Sequence, residues 1–253
     1  MTTLVGGLQN TATLAWRNLV QIKHNPMELM DLSIQPIMFL LLFTYVFGGQ
    51  MSGSTHAYLQ YALAGIIVQN GIFATLNTAV GLNSDLQKGV FDRLKSLPIA
   101  RSAPLAGRVL ADLVKQVWSL VLMLCLGMVL GFRPDSVFGV LGALALMIVF
   151  ALALSWMNVL IGMVASSPEK VQMMAFVVMF PLTFSSSAFV SVSSMPGWLQ
   201  AWVKVNPVTA LVDAMRALLN GGAVAAPVTH TLLWAAALAV VFFPLALRAY
   251  QRR

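Results

Sequence analysis

Residues 137–164, VFGVLGALALMIVFALALSWMNVLIGMV, contain no charged side chain. The run exceeds the roughly 20 residues that a helix needs to cross the hydrocarbon core of a bilayer. Lipid offers backbone amides no partner, so such a run must satisfy its own hydrogen bonds as a helix. It is long enough to tilt or protrude. Five more apolar stretches accompany it, at about 28–48, 58–82, 109–130, 171–190 and 228–247. Only 9% of the chain is charged, against about 25% in soluble domains. The expected fold is therefore an all-α integral membrane protein, with six transmembrane helices forming one domain over 1–253.

The stretch between the second and third runs sets the orientation. It reads NSDLQKGVFDRLKSLPIARSAPLAGRVLADLVK, from Asn83 to Lys115, and holds Lys88, Arg93, Lys95, Arg101, Arg108 and Lys115. Asp85, Asp92 and Asp112 offset these in part. Lys and Arg are retained on the cytoplasmic side of a membrane, so this loop and both termini are expected inside. The same placement puts Arg17, Lys23, Lys170, Arg248, Arg252 and Arg253 inside and leaves Arg133, Lys204 and Arg216 outside. The net charge of +7 is thus a topology signal, with a second use against anionic lipid. It does not point to nucleic acid. Val90, Phe91 and Leu94 form the apolar side of a short helix expected over 84–97. With no membrane to enter, they suit a soluble partner.

At the N-terminus, Leu8, Ala12, Ala15, Trp16, Leu19 and Ile22 share one face of an amphipathic helix over 8–24, which belongs in the headgroup region. No cleavable signal peptide is evident there. Asn25, Pro26 and Glu28 form a helix start, and Pro36 can kink the first span. Gln69, Asn70, Asn77 and Thr78 are polar for a lipid-facing helix and are expected to face the interior or a pathway. Asn70, Phe73 and Asn77 share a face; helix–helix hydrogen bonding and substrate contact both fit them. Arg108, Asp112 and Lys115 are spaced for ion pairing within the third span. Gly139, Gly142 and Gly162 permit close helix packing, and Cys125 is expected to pack as a small hydrophobe.

Ser167, Pro168 and Glu169 start the fifth span. It carries Met173, Met174, Phe176, Met179 and Phe180, which either adapt to apolar ligands or fill a core. Residues 191–226 are too polar to span. Within them Trp198, Leu199 and Trp202 read as interfacial. Asn206 and Pro207 start a helix that Gly221 and Gly222 stop, expected to lie outside and rim an exit, with Asp213 and Arg216 paired along it.

Several chemistries lack their residues. No span carries an ionisable group near its centre, where proton-coupled carriers commonly place one; sodium coupling through backbone carbonyls stays open. His56 and His230 have no nucleophile motif around them. No His and Cys cluster suits a transition metal, and no GxxxxGK[ST] phosphate loop is present. No catalytic, cofactor-binding or metal-ligating residue is expected. What remains is a transport scaffold with a docking loop and no engine of its own.

The loop GVFDRLKSLPIARSAPLAGRVLADL resembles that of type-2 ABC exporter permeases, with Gly89, Arg93, Leu94, Pro98 and Ile99 at the spacing of the family pattern. The segment SSAFVSVSSMPGWLQAWVKVNPVTALVDAMRALLNG is similar to its counterpart in the daunorubicin-resistance branch. The resemblance covers nearly the whole chain. It implies a permease subunit that exports amphiphilic drugs or lipids across the bacterial cytoplasmic membrane, paired with a second permease copy or a related permease. ATP and Mg2+ would be bound by a separate ATPase. Gly89, Val90, Phe91, Asp92, Arg93 and Leu94 would dock that ATPase. Asn70, Phe73, Asn77, Phe176 and Phe180 would line the substrate path. Two rivals stand beside this reading: a stand-alone secondary carrier, and a membrane scaffold that transports nothing.

Overall fold

The computed structural model of the protein describes residues 13, 16, 26–49, 53–90 and 103–251. Among these, all regular structure is helical. Helix α1 spans Pro26–Leu42 and runs on into a π-helical turn, Phe43–Phe47. Then come α2 (Thr55–Gln87), α3 (Ala103–Val129), α4 (Val137–Val164) and α5 (Pro168–Phe184). The short α6 (Gly197–Val205) and α7 (Pro207–Asn220) precede α8 (Ala225–Gln251).

The starts of these helices follow from local chemistry. Side-chain oxygens of Ser54, Ser136, Ser167 and Asn206 accept from backbone N–H groups of the first turns of α2, α4, α5 and α7. Each satisfies one donor that the helix itself leaves free. The Ser167 hydroxyl, with backbone help, also holds the Glu169 carboxyl below its ordinary range. Gly221, at φ +79°, closes α7 in a conformation that side chains with a Cβ resist.

Helix α2 is the axis of the bundle. It packs against α3, α4, α5 and α7, and 72% of its most apolar window is buried. Helix α8 is the outer element, packed on α4 and α7 with 11% of its window buried. Leu233, Val240 and Val241 leave it outward, as a lipid-facing helix requires. Backbones approach closely where the glycines allow it. A Cβ on Gly139 would lie 2.0 Å from the Leu218 carbonyl of α7, and one on Gly162 would lie 2.7 Å from the Ala79 carbonyl of α2.

Among the described residues, four helical segments are long and apolar enough to cross a membrane: Thr55–Gln87, Gly107–Val129, Val137–Val164 and Ala225–Tyr250. Segment Ser33–Phe47 is apolar but shorter, and α5 has 17 residues. The chain is a multi-pass membrane protein.

The sequence expectations meet the structure at several points. Helix α7, expected to lie outside and rim an exit, turns its apolar stripe into the bundle: Leu211, Val212, Ala214, Met215 and Leu219 are buried among α2, α4 and α8. Cys125 is exposed, since it falls on the outward stripe of α3 with Trp118, Val121 and Met128. The residues 84–87, expected to open a separate helix, continue α2; the break comes at Gly89, where φ is +65°. The irregularity in the first span lies at Phe43–Phe47, downstream of Pro36. Of the 8–24 helix, Thr13 and Trp16 are described; both are helical and Trp16 is exposed.

Candidate functional site: an aromatic cavity between α1, α2 and α5

Helix α5 places phenylalanine at 176, 180 and 184, each four residues from the last, so the rings stack along one face. Centroids of Phe176 and Phe180 lie 5.1 Å apart, and those of Phe180 and Phe184 lie 4.4 Å apart. The first span does the same with Phe39, Phe43 and Phe47, at 5.8 and 5.2 Å. Phe189 joins the two ladders, 5.4 Å from Phe184 and 4.7 Å from Phe43. At the other end Phe73 of α2 meets Phe176 at 6.1 Å. Each such pair contributes about 0.5–1.5 kcal/mol beyond burial of its area.

A cavity of about 320 Å³ lies against this track. Its α5 wall is Phe176, Phe180 and Phe184; Gln35 and Phe39 come from α1, and Ile66, Gln69, Asn70 and Phe73 from α2. One wall is thus wholly aromatic and the other carries three amides. Among the described residues, no charged side chain lines it. Phe176 and Phe180 remain exposed, as do Met173 and Met174 on the same helix, so these residues do not fill a core within the chain, whereas Met179 does.

Asn70, Phe73, Phe176 and Phe180 of the expected path therefore border one cavity. Asn77 continues their face of α2 but is exposed beyond the cavity. Gln35, Phe39, Gln69 and Phe184 also line it. Phe39 and Phe184 carry a readable signal, the four-residue phenylalanine repeat. Other polar residues of α2 serve the packing. Thr75 accepts from the Asn158 amide of α4 at 2.7 Å. The Asn83 amide donates to the carbonyls of Gly162 and Ala165 at 2.9 and 2.8 Å, closing the end of α4.

The segment after α5 is clamped at the other end of the bundle. Asn206 donates to the carbonyls of Leu182 and Ser185 at 2.7 and 2.9 Å, and Trp202 donates to the Ser185 hydroxyl at 2.8 Å. The Ser187 carbonyl accepts from Tyr61 at 3.2 Å and from Arg216 at 3.0 Å. The Arg216 guanidinium lies 4.0 Å above the Tyr61 ring and pairs with Asp213 at 3.1 Å. Gly65 admits the segment against α2, since a Cβ there would sit 2.1 Å from the Ala188 carbonyl.

The opposite end carries charge. Arg108 of α3 forms an ion pair with Asp85 of α2, and Asp112 lies 3.9 Å from Arg108 and 3.3 Å from Lys115. The pairing within α3 follows the spacing; the bridge to α2 does not show in it. Of the expected docking set, Gly89 and Val90 follow the end of α2, with Val90 half-buried. Phe91, Asp92, Arg93 and Leu94 lie outside the described residues.

The chain thus combines a helical bundle whose segments are apolar enough to cross a membrane with a cavity walled by phenylalanines and amides. The chain belongs to the ABC-2 type transporter family, whose profile matches residues 9–220. It is 43% identical, over 96% of its length and 86% of the relative's, to the "Daunorubicin resistance ABC transporter permease protein DrrB1" of Streptomyces coeruleorubidus. It is 28% identical, over 87% of its length and 80% of the relative's, to the "Probable doxorubicin resistance ABC transporter permease protein DrrC" of Mycobacterium tuberculosis. The "Doxorubicin resistance ABC transporter permease protein DrrB" of that organism is 27% identical, over 72% of this chain and 66% of its own.

Proposed function

We propose that this chain is the permease subunit of an ATP-driven exporter that moves flat, amphiphilic molecules out across the bacterial cytoplasmic membrane. The observation that carries the reading is the cavity between α1, α2 and α5, walled by stacked phenylalanines on one side and amides on the other. Such a lining suits a ligand with an apolar aromatic body and a polar edge. The relatives named for daunorubicin and doxorubicin resistance favour that ligand class over glycolipids and other lipids. In this reading the six spans are 28–48, 58–82, 109–130, 137–164, 171–190 and 228–247. Both termini are cytoplasmic, and a second permease copy or a related permease completes the pathway.

The chain hydrolyses nothing. ATP and Mg2+ belong to a separate ATPase subunit, docked on Gly89 to Leu94. Closure of the ATPases would move the loop and switch the cavity between inward and outward access. The carrier reading has less support, because no titratable side chain lines the cavity among the described residues. The test is a pull-down of the tagged chain with its ATPase in mild detergent, followed by a hydrolysis assay. A co-purifying ATPase that is lost on Phe91→Ala with Leu94→Ala is the expected result. Full association and normal transport by that double variant would overturn the docking site.

A further inference from the structure

One group on the cavity wall has incomplete hydrogen bonding. Gln69 lines the cavity and is 4% exposed, and its Oε1 is buried with no hydrogen-bond partner. A buried amide oxygen left unpaired is a standing cost to the fold. The amides nearby donate to other groups. The Asn70 amide faces Met123 Sδ at 3.1 Å, and the Gln116 amide donates to the Gly71 carbonyl at 3.0 Å. Thr78 Oγ1 and Asn158 Oδ1 are also buried without partners, but neither residue lines this cavity. The terminal torsion of a glutamine is broad and roughly two-fold. Rotation about it exchanges the two ends of the amide, so the oxygen can be presented to a ligand in the cavity without moving the stem.

We propose that Gln69 is a specificity-determining residue of this cavity: its amide oxygen accepts a hydrogen bond from a hydroxyl or amine on the edge of an aromatic ligand laid against Phe176 and Phe180. The inference rests on the cavity being the substrate site. It adds a rule for choosing among flat molecules that the aromatic wall alone would treat alike. A ring face on phenylalanine is indifferent to a hydroxyl at the far edge. An otherwise unpaired oxygen on the opposite wall is not, because a ligand without a donor leaves it unsatisfied.

The test compares pyrene with 1-hydroxypyrene, two flat fluorescent probes that differ by one hydroxyl. Each is titrated against the full chain in nanodiscs, with partition into empty nanodiscs subtracted. The wild type is expected to bind 1-hydroxypyrene about tenfold more tightly, the scale of one hydrogen bond to a buried group. Gln69→Leu is expected to keep its affinity for pyrene and lose the preference, and Gln69→Met to do the same. The unfolding temperature should not fall in either, because the group removed had no partner. Phe176→Ala should weaken both probes together. A preference that survives both Gln69 variants overturns the proposal, as does equal weakening of both probes, which would make the role one of shape. If neither probe binds the wild type saturably, the cavity reading itself fails and the role of Gln69 falls with it.

Discussion

At the scale of single residues, the segment after α5 depends on two positions, Gly65 and Asn206. Gly65 lets the 185–190 backbone lie against α2. Gly65→Ala forces a Cβ to within 2.1 Å of the Ala188 carbonyl, a contact that backbone on both sides must relieve, at about 1–3 kcal/mol. Gly197→Ala is the control, since nothing lies within 4 Å of a Cβ there. Thermal unfolding in detergent should show a clear drop for the first and little change for the second. Asn206 does two things at once: it caps α7 and donates to two carbonyls at the end of α5. Asn206→Ala should cost about 2–4 kcal/mol, the cap and the stranded carbonyls together. Asn206→Asp, which keeps the cap and loses the donated bonds, should fall between it and the wild type in the same melt. If Asn206→Asp unfolds with the wild type, the bonds to Leu182 and Ser185 carry no weight.

Among the elements, α2 and α3 are tied beside the basic loop by the Asp85–Arg108 pair. Arg108 reaches Asp85 by crossing Gly81, where a Cβ would lie 1.6 Å from its guanidinium. Arg108→Ala leaves Asp85 and one side of Asp112 without a cation and should cost about 1–3 kcal/mol, the pair being partly exposed. Gly81→Ala should displace the same guanidinium without removing charge. Both variants should therefore lower transport per ATP hydrolysed when assayed with the ATPase. Normal coupling in both would separate this tie from transmission. The tie also marks where sequence reading stops. Asp112 and Lys115 are three apart and Arg108 four before Asp112, so their pairing is legible in helical spacing. Asp85 lies 23 residues before Arg108, and the pairing between them exists because α2 and α3 fold against each other. The same divide runs through the cavity. Asn70, Phe73, Phe176 and Phe180 were readable as helix faces, and the starts at Ser167 and Asn206 as caps. That α5 turns its phenylalanines toward α1 and leaves Met173 outward is a tertiary fact. So is the burial of α7, whose amphipathic pattern fits a water-facing helix and a packed one equally well.

For the whole molecule, the account has an orientation and an energy source. A cysteine placed at Arg133, in a background without Cys125, should react with an impermeant reagent from outside the cell, and one at Lys95 should not; the reverse pattern would invert the topology. The central claim is that ATP hydrolysed by a partner moves an aromatic amphiphile through the phenylalanine-walled cavity of this chain. Everted membrane vesicles containing the permease and its ATPase test it most directly, with doxorubicin uptake as the readout. The account predicts uptake that requires ATP and the ATPase, survives an ionophore, and is lost on Phe176→Ala with Phe180→Ala while the protein remains inserted. Uptake by the permease alone that an ionophore collapses would contradict it and make the chain a secondary carrier.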